Sequence, residues 1–163
     1  MAGRAPRGPT HLDESGAARM VDVSAKEPTR RVARASGALR MEPATLEALV
    51  EGDLPKGEAL AVARIAGIQA AKLASTIVPL AHPLPLEHVA VELTADPELP
   101  GVRANAEVVV TARTGAEMEA LCAVAGALLS LYDMAKALDR GMVMEAIRLE
   151  HKSGGRSGPW ERP

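Results

Sequence analysis

Hydrophobic and polar residues alternate along several stretches of the chain, which is typical of β-strands that bury one face. Strands are predicted over Thr29 to Met41, His88 to Asp96 and Val102 to Arg113, and a last one over Met142 to Lys152. The segment Pro97 to Gly101, between the second and third strands, is rich in proline and predicts a hairpin loop. The alternation therefore predicts a sheet that contains at least one hairpin.

A second pattern, with apolar residues three or four positions apart, predicts helices between these strands. A short helix is predicted over Ala44 to Glu51, preceded by a proline and closed by a glycine. A longer one covers Gly57 to Thr76. The third helix follows Thr114-Gly115-Ala116-Glu117, which has the spacing of a capping box, and runs to about Arg140, where a glycine comes next.

The resulting order is strand, helices, strand, strand, helix, strand. This order predicts an α+β fold of the ferredoxin-like type, a βαββαβ sandwich in which an antiparallel sheet carries the helices on one face. We expect residues 1–19 to be a disordered leader, residues 20–158 to form a single domain, and residues 159–163 to be a frayed C-terminal tail. The topology does not name a function, because RNA-recognition modules and amino-acid sensors share it.

Composition narrows the choice of function. The chain of 163 residues is 47% hydrophobic but has no Phe, one Tyr and one Trp, so the core must be built from small aliphatic side chains that let helices approach closely. A net charge of −2 and the scarcity of aromatic rings argue against a nucleic-acid binder. The single cysteine, Cys122, excludes an intramolecular disulfide. With no signal peptide and no apolar run of membrane-spanning length, we expect a cytoplasmic protein.

Two segments of the chain carry side chains suited to acid–base chemistry. Asp133 and Lys136 lie near the end of the otherwise apolar third helix, three residues apart and on one face. They form either an exposed ion pair or an acid–base pair whose pKa values are shifted by partial burial. His82 lies in a proline-bracketed loop, where it either holds the loop by a hydrogen bond or binds a ligand. The histidines and Cys122 lack metal-ligand spacing, so no metal site is predicted.

Basic residues suggest an anionic ligand. The stretch from Lys152 to Gly158 is glycine-rich and basic, so it is either an anion-binding loop or a flexible tail. It is not a nucleotide-binding P-loop, because the required residue order is missing. Lys56, Arg31, Arg64 and Lys72 add further positive charge, although a solvated surface explains each of them separately.

The third helix also poses a problem of length. Glu117 and Glu119 begin the helix, whereas Asp133 and Lys136 end it. At about 1.5 Å per residue, Glu117 and Asp133 lie roughly 24 Å apart, too far for one small-molecule site. If both ends serve one site, either the helix breaks or two subunits share the site. We favour the shared site.

Several motifs together resemble the cyclic pyranopterin monophosphate synthase (MoaC) family of molybdenum-cofactor biosynthesis. They occur in order over nearly the whole chain, from about Leu12 to Gly158. The segments are Met20-Val21-Asp22-Val23-Ser24, Ala63-Arg64-Ile65-Ala66-Gly67-Ile68-Gln69-Ala70-Ala71-Lys72, Pro79-Leu80-Ala81-His82-Pro83-Leu84, Thr114-Gly115-Ala116-Glu117-Met118-Glu119-Ala120-Leu121, Tyr132-Asp133-Met134-Ala135-Lys136 and Lys152-Ser153-Gly154-Gly155.

The resemblance implies a phosphorus–oxygen lyase that converts a cyclised dihydro-GTP triphosphate to cyclic pyranopterin monophosphate and pyrophosphate, without an organic cofactor. By resemblance, the catalytic residues are Asp133, Lys136 and Lys56. The residues that fall where the family binds substrate are Leu80, Ala81, His82, Glu117, Met118, Glu119, Arg31, Lys72 and Lys152. The family also implies a hexamer, a trimer of dimers with sites at the dimer interface, which agrees with the helix-length argument.

One departure and one alternative accompany this resemblance. The family often has a cysteine before the loop histidine, and this chain has Ala81, so an active protein cannot require a thiol there. The alternative is a ferredoxin-like regulatory module that binds a nucleotide in the same basic pocket without catalysis.

Overall fold

The computed structural model describes residues 15–52, 54 and 58–163. Its elements in chain order are β1 (Thr29–Arg40), α1 (Pro43–Glu51), α2 (Ala59–Lys72), α3 (Ala74–Ile77), β2 (His88–Asp96), β3 (Gly101–Ala112), α4 (Glu117–Ala135), β4 (Val143–Ser153) and β5 (Trp160–Glu161). The four strands and the main helices predicted from the sequence are all present, with shifts at their ends.

The strands form one antiparallel sheet in the order β2-β3-β1-β4-β5. The α+β ferredoxin-like fold predicted from the sequence is confirmed. The central strand β1 pairs with β3 along its whole length and with β4 through two register shifts. At the second shift Ala146 adopts a left-handed conformation with φ 53°, as the extra residue of a bulge often does.

The helices α2 and α4 pack closely against each other because small residues line their contact. A Cβ atom on Gly67 would lie 2.8 Å from the Ala123 carbonyl oxygen, and one on Gly126 would overlap the Ala70 side chain. Under the pair, Leu128 and Leu131 of α4 are fully buried against the sheet. The small aliphatic core that the composition predicted is therefore what brings these helices together.

Three details of the predicted helices are wrong. The predicted helix ending at Thr76 is divided at Leu73 into α2 and α3. The capping box is not formed, because α4 has Ala116 at its N-cap and no side chain caps it. The helix also ends at Ala135, five residues before the predicted end. In the turn that follows, the Asp139 carboxylate accepts hydrogen bonds from the backbone N–H groups of Gly141 (2.7 Å) and Glu42 (2.9 Å).

The C-terminal residues are ordered against the sheet, so the prediction of a frayed tail is wrong. β5 pairs with β4 through His151 and Lys152. The Arg162 backbone N–H donates to the Glu150 carbonyl oxygen (2.9 Å), and Nε of Arg162 donates to the Leu149 carbonyl oxygen (2.8 Å). Most of the predicted leader, residues 1–14, lies outside the described residues, and residues 15–19 are exposed.

By length and composition α4 is apolar enough to cross a membrane. It is instead the central helix of this domain, with a continuous row of residues buried against α2 and the sheet: Ala120, Ala123, Val124, Ala127, Leu128 and Leu131.

Candidate active site

A cleft lies at the N-terminal end of α4. Because β1 runs antiparallel to both β3 and β4, the start of β1 lies beside the ends of these two strands, and α4 follows β3 after a short turn. The cleft has two adjoining cavities, of about 630 Å³ and about 600 Å³. Both are lined by Lys26, Thr114, Gly115 and Glu117. Four separate parts of the chain therefore meet at one place.

The first of these, which we call the basic cavity, is rich in positive charge. Its lining has five cationic side chains and two carboxylates, namely Lys26, Arg31, Arg113, Lys152 and Arg156 against Glu27 and Glu117. Several cations that line one concave surface reinforce each other's potential and attract an anion. The basic cavity therefore suits a polyanionic group such as a phosphate chain.

Glu117 and Lys152 form an ion pair in the middle of the cleft. The Lys152 Nζ atom lies 3.1 Å from Oε1 of Glu117, and the two side chains are 32% and 24% exposed. The Glu117 carboxylate is folded over Gly115, where any larger residue would collide with it. This position explains why the predicted capping box fails: Glu117 bonds to a cation of the cleft instead of returning to the helix start.

The second cavity, which we call the mixed cavity, has a more apolar wall and one buried acid. Its apolar lining includes Val21, Val23, Leu80 and Leu149. Glu119 is only 3% exposed, and this burial raises the pKa of its carboxyl above the ordinary value, with the nearby Glu117 charge raising it further. A hydrogen bond from its own backbone N–H opposes the shift. A partly apolar pocket with two carboxyl groups, one of them buried, suits a polar heterocycle.

The structure brings most of the predicted substrate-binding residues to this cleft. Arg31, Glu117 and Lys152 line the basic cavity, and Leu80, Ala81, His82, Glu117, Met118 and Glu119 line the mixed cavity. Lys72 is the exception, since it is exposed at the C-terminal end of α2 and is absent from the described lining of both cavities.

The predicted catalytic residues lie elsewhere in this copy of the chain. Asp133 and Lys136 form an ion pair of 2.5 Å at the opposite end of α4, with side chains 53% and 50% exposed. The pair has the geometry of a surface i,i+3 salt bridge. Lys56, the third predicted catalytic residue, lies outside the described residues.

Sequence reasoning missed two cations of the basic cavity, Lys26 and Arg113. Arg113 was treated only as the end of a strand, although a basic residue directly before a helix N-terminus is well placed to meet an anion that the helix attracts. Lys26 has no comparable local pattern. Its place in the cleft depends on how residues 20–28 lie across the ends of the strands.

Neither a metal cluster nor a reactive thiol stands out in the part of the chain that the structure describes. There, no group of three or more His, Cys, Asp or Glu side chains is arranged to hold a metal ion. Cys122 is half-buried on α4, and burial together with the Glu119 charge raises the pKa of its thiol. Its nucleophilic thiolate form is therefore disfavoured.

Taken together, the fold and the cleft define a ferredoxin-like α+β protein with a cation-rich cavity beside a partly apolar one. Comparison with known proteins identifies the group to which it belongs. Residues 20–155 match the model of the MoaC family, and the chain belongs to that family.

Similar curated proteins cover nearly the whole chain. A cyclic pyranopterin monophosphate synthase of a Nostoc species is 57% identical over 154 residues, covering 94% of this chain and 92% of that protein. One from Methylobacterium nodulans is 58% identical over 152 residues, covering 93% and 95%. One from a Roseiflexus species is 58% identical over 149 residues, covering 91% and 94%. These matches confirm the resemblance seen in the motifs.

Proposed function

We propose that this protein is a lyase of molybdenum-cofactor biosynthesis that converts a cyclised dihydro-GTP triphosphate to cyclic pyranopterin monophosphate and pyrophosphate. Its membership of the MoaC family and the shared name of its relatives support this activity. The observation that carries the proposal is the cleft, where a cavity with five cationic side chains adjoins a pocket with a buried acid. The alternative of a non-catalytic regulatory module gains no support from relatives that are named as enzymes.

The two cavities divide the substrate between them. In the proposed complex, the basic cavity holds the triphosphate and the mixed cavity holds the purine-derived ring. When the cyclic phosphate closes, a substrate hydroxyl gives its proton to a base and its oxygen bonds to the α-phosphorus, while the bond from this phosphorus to the bridging oxygen breaks and pyrophosphate leaves. The cations of the basic cavity stabilise the charge that develops on the leaving group.

Lysine and carboxyl groups suit the other part of the reaction, which is the rearrangement of the ring. Rearrangement of the ring requires several proton transfers near neutral pH, and these need groups that can act as acid and as base. Glu119 meets this requirement within the cleft, because its burial favours the protonated form. The proposed catalytic residues Asp133, Lys136 and Lys56 supply the remaining proton transfers.

Asp133 and Lys136 can reach this substrate only from a second copy of the chain. α4 has 19 residues, which corresponds to about 27 Å from end to end. The helix is continuous, so the alternative of a broken helix is not available to bring its ends together. We therefore infer composite sites, in which one copy supplies the cleft and the other supplies the Asp133–Lys136 pair.

The outer face of α4 supports such an assembly. Met118, Cys122, Ala125 and Leu129 follow each other along this face at helical spacing, and Leu129 is 59% exposed. Two α4 helices that cross antiparallel near the small Ala125 would place the end of one helix at the start of the other. Exposed apolar side chains on α2, among them Ile65 at 67%, extend the surface.

The proposed assembly is the family's hexamer, a trimer of such dimers, and its site of action is the cytoplasm as the sequence predicts. Sedimentation is the direct measurement of the assembly, and cell fractionation is the direct measurement of the location.

The experiment for the activity is to incubate the protein with the cyclised dihydro-GTP triphosphate and to measure pyrophosphate. We expect release by the unmodified protein and a loss of at least 100-fold for Lys136→Ala, as for removal of a general acid or base. Arg140→Ala is the matched control, because Arg140 is an exposed cation near the same helix end, and it should keep full activity. Equal release by the unmodified protein and Lys136→Ala would refute the assignment.

A further inference from the structure

Arg31 uses its guanidinium to join two parts of the protein, which is a different task from that of the other cations in the basic cavity. Nε donates to the Ala112 carbonyl oxygen (2.9 Å), and Nη2 donates to the Arg113 carbonyl oxygen (3.2 Å). Both bonds cross from β1 to the end of β3, where the chain leaves the sheet for α4. Arg31 thereby holds the backbone that carries the Arg113 side chain.

The same guanidinium also lies against the glycine turn that follows β4. A Cβ atom on Gly155 would lie 2.8 Å from Cζ of Arg31 and closer still to Nη1. A Cβ on Gly154 would overlap the Arg30 carbonyl oxygen. Gly154 and Gly155 have φ values of 91° and 75°, so the turn has a backbone conformation that favours glycine. The turn can therefore lie directly on Arg31 only because it has no side chains.

These contacts place Arg31 between two groups of cations. On one side is Arg113, and on the other are Lys152 and Arg156, which flank the glycine turn. The distance between the two groups determines which anions can contact both. A chain of linked phosphates offers several charged groups that can contact both sides at once, whereas a single phosphate offers one.

We propose that Arg31 is a positioning residue whose guanidinium, held between the Ala112–Arg113 carbonyl groups and Gly155, sets the spacing of the cations in the basic cavity and so makes it selective for a phosphate chain. This inference rests on the proposed function, since it concerns the triphosphate part of the same site. It gives Gly155 a specific role: to let the turn that carries Arg156 approach the guanidinium.

The test is a double-mutant cycle between Arg31→Lys and Gly155→Ala, read out as the dissociation constant of inorganic tripolyphosphate by calorimetry. Arg31→Lys keeps the charge but cannot bridge two carbonyl groups in a fixed geometry. Gly155→Ala keeps every charge of the cavity. We expect each variant to weaken tripolyphosphate binding about tenfold, and the double variant to be no weaker than either, because both disrupt the same contact. Binding of orthophosphate should change less than twofold.

Gly158→Ala is the matched control for the backbone. Gly158 also has a positive φ, 67°, but a Cβ there meets nothing within 4 Å, so this variant carries the conformational strain without the collision. Its tripolyphosphate affinity should stay within twofold of the unmodified protein. If Gly155→Ala does not fold, as judged by circular dichroism, the Arg31→Lys variant still tests the proposal. In turnover it should raise KM about tenfold with kcat within threefold.

An unchanged affinity in Arg31→Lys, or additive losses in the double variant, would overturn the proposal, since Arg31 would then act only as one more charge. These outcomes are distinct from a failure of the proposed function. That failure would appear as an absence of pyrophosphate release from the cyclised nucleotide by the unmodified protein, whereas the titrations with tripolyphosphate require no turnover.

Discussion

The two ends of α4 each carry an ion pair, but the pairs differ in their surroundings. At the N-terminal end, Glu117 and Lys152 belong to separate elements, are about one quarter to one third exposed, and lie inside a cleft. At the C-terminal end, Asp133 and Lys136 are neighbours on one helix and are half exposed. The comparison shows that the cleft is assembled within one copy of the chain, whereas the proposed reactive pair lies at the surface of that copy.

The topology explains this difference. The start of α4 lies where β1 begins and where β3 and β4 end, so three strand ends surround it. After Ala135 the chain turns away at Asp139, whose carboxylate is bonded to the backbone of Glu42 and Gly141. Among the residues that the structure describes, no comparable set of strand ends surrounds the C-terminal end of α4, which agrees with the proposal that a second copy of the chain completes the site.

The sharpest test of this comparison is to mix two variants, each of which is expected to lose most of its activity at a substrate concentration below KM. Lys136→Ala removes the surface pair, and Lys152→Ala removes the pair in the cleft. If each site takes one part from each copy, a mixed dimer has one intact site and one doubly altered site. An equal mixture that has exchanged subunits should therefore regain roughly a quarter of the unmodified activity. Pyrophosphate release from each variant and from the mixture is the measurement.

The same experiment can test the contact surface. Leu129→Asp, introduced into both variants, should abolish the recovery because it places a charge in the proposed interface. Val50→Asp is the matched control, since Val50 is 62% exposed on α1 and Leu129 is 59% exposed on α4. A mixture that stays inactive despite proven subunit exchange would show that both parts of the site come from one copy.

A smaller effect is expected when the binding of pyrophosphate is measured by itself, without turnover. Lys152→Ala should weaken the binding of pyrophosphate about tenfold, because a charged hydrogen bond to the ligand is lost. Lys136→Ala should change this binding by less than twofold, although it abolishes activity. Calorimetric titration of both variants with pyrophosphate tests the difference. Equal losses would mean that the two ends of α4 do not divide binding from catalysis.

Much of the fold followed from the sequence because its patterns are local. The alternation in β2 and β3 and the apolar stripe of α2 depend only on residues close in the chain, and their limits were predicted within a few residues. The end of α4 was predicted from a glycine at position 141, but the turn after the helix is held by a contact between Asp139 and Glu42, which lies far away in the sequence. Such a contact leaves no local pattern.

Only part of the candidate site could be predicted from the sequence. Family motifs selected Glu117, Glu119 and His82, and the structure places these side chains in one cleft. The motifs did not select Lys26, whose place in the basic cavity depends on the path of an irregular segment. The roles of these residues stay predictions, as do the contributions of Asp133, Lys136 and Lys56.

The smallest expected effect concerns the buried carboxyl at the N-terminal end of α4. Burial raises the pKa of Glu119 above its ordinary value of 4.5, whereas the unfolded chain leaves the carboxyl in water. Below the ordinary value both states hold the proton, and Glu119 does not affect the free energy of unfolding. As the pH rises through the interval between the two pKa values, the unfolded state loses its proton first, so the folded protein loses stability.

Glu119→Gln should remove this loss, because glutamine has a similar shape and does not ionise. At about pH 7.5 the variant should have a higher melting temperature than the unmodified protein. This difference should shrink toward zero at about pH 4. The acidic measurement serves as the control, since Glu119 is then protonated in both states. A difference in melting temperature that is the same at both pH values would contradict a buried acid at this end of the helix. It would also remove the contrast between the buried carboxyl at this end of α4 and the exposed pair at the other end.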